Sequence, residues 1–486
     1  LWLHAVYANA LELDDFHYRG HLGPAVVIVP LAMGEALGAT GRDALRAQII
    51  GNELAGRLGW AITAELRHGH QRSYLLRFAA AAAAASLLRL DAGAFARALA
   101  IAMTQPEMAL HPGEFSPDTK VLSAASSVVE GTRAAYLAAE GLDATVDILE
   151  HPAGFYRQFT MHRAVPSPFV QLGEAWSTHA LSFKRYSACA YASGAVDAAL
   201  EVRSQNEFDP GAVDRIEVAS SMPALVMERL ARPHQPGVLT PVNVQFSILR
   251  CVAAALSVGD LRGHHFSAHR FDSMLPDVRR LSASATLLHD WAFTVQQLRG
   301  LDDGLNQGRS ADMLQFYRTM GAFRDMFGSA RPIGPGDLAR LLALPAADRR
   351  YFVRRWARSF RSHAARALGR RDAGRGPLGD LRRLSFRMGA RVTVVLRGGR
   401  RLVAERVVPT GMAGDPRRAE VVREKLMAEG APVIGLARCA RLWAAIAASE
   451  SAPRVDLNRI AANGGEEEAD GAGADRRPVR SQSSPA

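Results

Sequence analysis

The sequence predicts a mainly α-helical protein: an all-helical first part, followed by a smaller α+β lid. Three observations predict it. Apolar residues recur at helical spacing through residues 1–180. Alanine and glycine crowd several of those helix faces, as they do where helices pack closely. Strand-like alternation starts only after about Lys184.

Taken in order, residues 1–13 read as an apolar helix, with Trp2, Leu3, Val6, Tyr7, Ala10 and Leu13 at helical spacing. No charged stretch precedes it and acids follow directly, so it is not a signal peptide. We expect it to be the interior of a domain whose beginning lies upstream. Residues 43–60 place Leu45, Ile49, Ile50, Leu54 and Leu58 on one face, with Thr40 or Gly41 marking the start. Residues 78–90 are an Ala-rich helix, and 94–103 and 122–139 continue the pattern. Further on, residues 213–219 alternate like a half-buried strand. Residues 391–396 and 401–408, separated by Gly398-Gly399, form a hairpin pattern. Residues 415–428, with Pro416 near the first turn, and 435–448 read as helices, and the second is expected to pack back on the first domain.

These elements divide the chain into a helical domain (1–180), a lid (181–300 and 386–448), a helical Arg-rich insertion (301–385) and a disordered tail (463–486). The insertion holds helices at 313–327, 336–344 and 351–368, then a linker at 369–379. The net charge of +11 belongs to one place. Residues 349–383 carry twelve Arg against Asp372 and Asp380, and the rest of the chain is nearly neutral. That segment is read as a solvated helix face. Nucleic-acid contact is the weaker reading, because no aromatic stacking pattern accompanies the arginines. No uncharged apolar window is long enough to span a bilayer, so no membrane partner is expected. Cys189, Cys251 and Cys439 lie far apart without metal-type spacing, which fits a reduced, cytoplasmic setting.

Several blocks then occur in a recognisable order. Leu11-Glu12-Leu13-Asp14-Asp15-Phe16-His17 is followed by His21 and an apolar segment. His70 precedes Ser73 and the Ala-rich helix, and Thr119-Lys120 opens a helix running on to Gly131. Leu149-Glu150 precedes Gly154-Phe155. Phe183-Lys184-Arg185-Tyr186-Ser187-Ala188-Cys189, Val244-Gln245-Phe246-Ser247 and Pro409-Thr410-Gly411 complete the set. In order and spacing these blocks resemble the MmgE/PrpD family over about residues 1–290 and 388–445. Relative to that family, roughly seventy residues are expected to be absent at the start.

The resemblance implies a lyase or isomerase of small polycarboxylic acids that uses no metal or organic cofactor, and a homodimer built through the helical domain. It places Asp14, Asp15, His21, His70, Lys120 and Lys184 in a cleft between the two domains. His21 and His70 are then the acid/base candidates, because this chemistry moves a proton next to a carboxylate at neutral pH. Lys120 and Lys184 bind substrate carboxylates, with Cys189 beside them. Asp14 or Asp15 orients a histidine or joins the proton transfer. Taken singly, the aspartates read as a helix cap and the histidines and lysines as surface residues. Yet the chain has only three lysines, Lys120, Lys184 and Lys425, so two of them at family positions carry weight.

The chain departs from the family pattern at Leu22-Gly23-Pro24, at Leu76-Arg77, and at Ser123 and Ser193, where histidines are expected. A 2-methylcitrate-type dehydratase is the leading expectation. An epimerase, isomerase or decarboxylase of the same family, or a degenerate homologue that only binds, stay open beside it.

Overall fold

Seven consecutive alanines, residues 79–85, form the axis of the helical part. Alanine has the best helix propensity and loses no side-chain freedom. It also lets neighbours approach closely. In the computed structural model, which describes residues 1–17, 20–62, 70–115, 117–159, 169–231, 237–305, 335–367 and 379–456, these alanines lie inside a helix buried along its whole length.

The helical part is built from α1 (Trp2–Ala10), α2 (Gly41–Ala61), α3 (Arg72–Leu87), α4 (Ala92–Thr104) and α5 (Leu122–Ala139). The last matches its expected bounds. α3 starts six residues before the sequence reading placed it, because its first turn buries the polar Arg72 and Ser73, which break the apolar pattern. Thr40 caps α2 by accepting from the Asp43 amide at 3.1 Å. α3 packs against α2, α4 and α5. At Gly131 on α5 a Cβ would stand 2.1 Å from the Arg77 carbonyl oxygen of α3, so the crossing needs glycine.

Two short strands join the halves: β1 (Asp15–Phe16) pairs antiparallel with β2 (Ser182–Phe183), Asp15 opposite Phe183. The second half carries a sheet of β3 (Val213–Ser220), β4 (Ala285–His289), β5 (Ala390–Leu396) and β6 (Arg401–Arg406), in the order β4-β3-β5-β6. Only β3 and β4 are parallel. The β5–β6 hairpin turns at Gly399 with φ +81°, as its Gly-Gly pair predicts. β4 escaped the sequence reading: its five residues follow directly on a helix, with little local signature. α6 (Ser193–Gln205), α7 (Ile248–Val258) and α8 (Ala268–Ala283) share one core with this sheet.

α9 (Trp291–Gly304) and α10 (Ala346–Ala367) form a further core through Trp291, Val295, Leu298 and Phe352. The Arg-rich α10 is therefore more than a solvated face. Arg355 is buried against Asp302, which also accepts from the Tyr351 hydroxyl at 2.5 Å. The expected helix 313–327, most of the linker and the tail from 463 lie outside the described residues.

α11 (Arg418–Ile434) begins later than expected, because Asp415 and Pro416 belong to a turn in which Asp415 accepts from the Gly411 and Arg417 amides. α12 (Leu436–Ala447) packs on α11. The chain then returns to the helical part, where Gly41 N donates to Ala452 O at 2.9 Å and Val455 N to Ala39 O at 2.8 Å.

Candidate active site

The join between the halves is made by a strained residue. After α1 ends, Glu12 adopts φ +53°, a left-handed conformation that costs about 1–2 kcal/mol outside glycine. That turn aims its carboxylate inward, between two lysines. Lys120 contacts Glu12 Oε1, and Lys184 donates to Glu12 Oε2 at 2.6 Å. All three side chains are buried. Pairing of β1 with β2 sets Lys184 beside Asp14, with Nζ 2.7 Å from Oδ1.

The network continues through Arg72, at the start of α3. Its guanidinium meets Asp14 at 3.2 Å and Glu114 at 3.2 Å, and contacts Asn9. Three cations (Lys120, Lys184, Arg72) thus share three carboxylates (Glu12, Asp14, Glu114). Burial alone would raise the Glu12 carboxyl, but Lys120 and Lys184 outweigh it and hold it at about 2. Asp14 is held well below the usual carboxylate range in the same way, by Lys184 and His21 against burial. Burial pulls Lys120 down, whereas Asp14 and Glu12 more than compensate at Lys184 and push it up.

Two histidines stand at this cluster with partly exposed rings, each 18% accessible. His21 Nδ1 lies 3.0 Å from the Asp15 carbonyl oxygen and 3.2 Å from Asp14 Oδ2. Both are acceptors, so Nδ1 carries the proton and Nε2 is the basic nitrogen of the neutral ring. His70 Nδ1 lies 3.8 Å from Glu114 Oε1, too far for a hydrogen bond. Its ring packs edge-on against Phe115. Burial, then Arg72 and His111, hold His70 well below the usual imidazole range, so it is neutral at pH 7.

The remaining sequence candidates sit around this centre. The Asp15 carboxylate turns away and accepts from the Gly23 amide at 2.7 Å, where any Cβ would collide with it. Burial raises its pKa. Cys189 is buried, and burial lifts its thiol to about 11 despite the nearby Lys184, so it is protonated at neutral pH.

Of the departures from the family pattern, Ser123 donates to the Lys120 carbonyl oxygen at 2.7 Å. Ser193 Oγ is buried without a hydrogen-bond partner among the described residues. Arg77 pairs with Glu107 at 3.2 Å, and Glu107 also accepts from Ser127.

Sequence reasoning missed Glu12, Arg72, Glu114 and Asn9, which hold the cluster together. It also missed Lys425, although the scarcity of lysine was a usable signal. Lys425 on α11 donates to the Leu13 and Lys184 carbonyl oxygens at 2.6 and 3.1 Å, so all three lysines of the chain meet at this join. Burial lowers its amine to about 8. Among the described residues no group of three His, Cys, Asp or Glu side chains is placed to hold a metal ion. No described helix is long and apolar enough to cross a membrane.

Residues 1–166 match the MmgE/PrpD N-terminal domain, and residues 186–313 match the MmgE/PrpD C-terminal domain. A cis-aconitate decarboxylase of Aspergillus terreus is 29% identical over 211 residues, 40% of this chain and 43% of that protein. A cis-aconitate decarboxylase-like protein of Aspergillus oryzae is 28% identical over 296 residues, 56% of this chain and 61% of that protein. The human cis-aconitate decarboxylase is 29% identical over 212 residues, covering 42% and 44%. The chain thus aligns with about half the length of the curated relatives it matches.

Proposed function

The chain belongs to the MmgE/PrpD family, and from that premise we propose that it is a lyase of small di- or tricarboxylic acids that works at the join between its two halves. One observation carries the reading: the Asp14–His21 pair and the Lys120–Glu12–Lys184 bridge meet there. In the proposed reaction His21 Nε2 takes a proton from the carbon next to a substrate carboxylate. Ionised Asp14 holds the ring and stabilises the imidazolium that forms. An ammonium has three N–H donors. Lys120 donates to Glu12 and, at 3.3 Å, to the Asn9 carbonyl oxygen, and Lys184 donates to Glu12 and Asp14, which leaves a donor on each for a substrate carboxylate. His70, neutral at rest, accepts that proton from the His21 imidazolium and passes it on.

In a dehydration that proton goes to the leaving hydroxyl, water departs and a C=C bond remains, as for a 2-methylcitrate-like substrate. The names of the relatives favour a decarboxylation of the cis-aconitate type, in which no C–H bond is broken first: the C–C bond to the departing CO2 supplies the electron pair, and the histidines deliver one solvent proton to carbon in its place. A homodimer is part of the same proposal.

A second reading has its own support. Both lysines are fully buried and already hold Glu12, an internal carboxylate standing where a substrate carboxylate would go. On that reading the protein binds acids without turning them over. NMR of citrate, 2-methylcitrate and cis-aconitate incubated with the protein separates the two. The lyase reading expects consumption of at least one acid, slowed about 10²–10⁴-fold by His21→Asn or His70→Asn. If no acid is consumed, or if both variants match the wild type, the lyase reading fails.

A further inference from the structure

The second half contains a cavity of about 510 Å³. That lies within the ~300–1,000 Å³ range typical of small-molecule sites. Arg185, Arg262, Arg406 and Arg417 line it. Arg185 follows Lys184 directly in the chain.

The cavity also holds four carboxylates, and their bonding is what makes it informative. Asp197 accepts from the Tyr186 hydroxyl at 2.6 Å and the Thr410 amide at 2.7 Å. Glu201 accepts from Arg406 at 2.8 Å and Gln205 at 3.2 Å. Asp260 accepts from Arg262 at 2.8 Å and the Leu261 amide at 2.7 Å. Asp415 accepts from the Gly411 amide at 2.7 Å and the Arg417 amide at 3.0 Å. Every carboxylate oxygen of the wall is thus engaged. The donors are not: Arg185 Nε, Arg262 Nη1 and Arg406 Nε are buried without a hydrogen-bond partner among the described residues. A buried unmatched donor carries a desolvation penalty, and guanidinium N–H groups bind carboxylate and phosphate best. What this cavity lacks is acceptors.

We propose that the cavity is a second anion site, distinct from the buried lysine cluster, which takes a small carboxylate- or phosphate-bearing molecule through Arg185, Arg262 and Arg406. Arg262 forms its inner wall, with a side chain 13% accessible, and Arg406 and Arg417 stand at its mouth, 42% and 54% accessible. The site is independent of the reaction proposed above, so its test reads binding and not turnover.

Isothermal titration calorimetry of the full chain with inorganic phosphate, and separately with citrate, provides that test. We expect a saturable site for at least one probe, weakened about tenfold or more by Arg185→Gln and by Arg406→Gln, and unchanged in His70→Asn. Phosphate alone assigns a phosphorylated ligand, and citrate alone assigns a carboxylate. The partly exposed Arg406 makes its variant the safer one for folding, and circular dichroism checks both. The proposal is overturned if neither probe saturates at millimolar concentration. It is also overturned if the arginine variants bind as the wild type does, or if His70→Asn removes the only saturable site.

Discussion

Replacing Glu12 with Gln removes one negative charge and almost no volume, so it isolates what the bridge between Lys120 and Lys184 contributes. In the wild type the two lysines hold Glu12 at about 2, against an ordinary value of 4.5. That difference corresponds to about 3 kcal/mol of stability at neutral pH. The sign follows from the direction. A carboxyl depressed in the folded state contributes fully above the unfolded pKa, and the contribution is lost as pH falls from about 4.5 towards 2. Breaking a buried pair by removing one partner costs about 3–5 kcal/mol, because charge is left unmatched. Lys120, already pulled down by burial, is the group that sheds its proton to relieve the imbalance. Urea unfolding at pH 7 should therefore show Glu12→Gln destabilised by about 3–5 kcal/mol. The gap to wild type should narrow as pH falls below 4.5. A loss under about 1 kcal/mol, the level of a surface pair, or a gap that does not change with pH, would refute this reasoning.

Three other outcomes follow from the packing and the site. Gly131→Ala forces a methyl against the Arg77 carbonyl oxygen, and thermal unfolding should show a loss at or above the ~1–3 kcal/mol of ordinary overpacking; an unchanged melting temperature contradicts the α3–α5 contact. Cys189, buried with its thiol at about 11, should resist iodoacetamide at pH 8 in the native protein and react when unfolded, as read by mass spectrometry of its peptide. Rapid native labelling would count against the burial of Cys189. Asp302→Asn removes the charge that holds buried Arg355, so α10 should exchange its amide hydrogens faster while the sheet does not. Equal protection in both proteins would mean that α10 is held by its apolar face alone.

The helices were legible because their signals are local. Thr40 caps α2 through the amide three residues on, and Gly141, with φ +88°, follows the end of α5. The hairpin was legible through Gly398-Gly399 in the same way. In the site, Asp14, His21, Lys120 and Lys184 were singled out by block order, and the structure brings them together with His70 and Arg72. Their partners were not legible. Glu12 meets residues 108 and 172 positions away, and Arg72 meets Asp14 across 58, separations that leave no periodic trace. The φ of +53° that aims Glu12 inward has no glycine or asparagine to announce it. Arg72 was hidden for the opposite reason, since a charged residue beside an alanine run reads as a helix end facing water.

The scarcity of lysine offers the most direct test of the account. With only Lys120, Lys184 and Lys425 in the chain, selective ¹⁵Nζ labelling gives one NMR signal for each. Lys425 should titrate near pH 8, Lys184 should stay protonated well above that, and a bound polycarboxylate substrate should shift Lys120 and Lys184 together. A substrate that binds or turns over while both of those signals stay fixed would contradict the claim that chemistry occurs where these lysines meet.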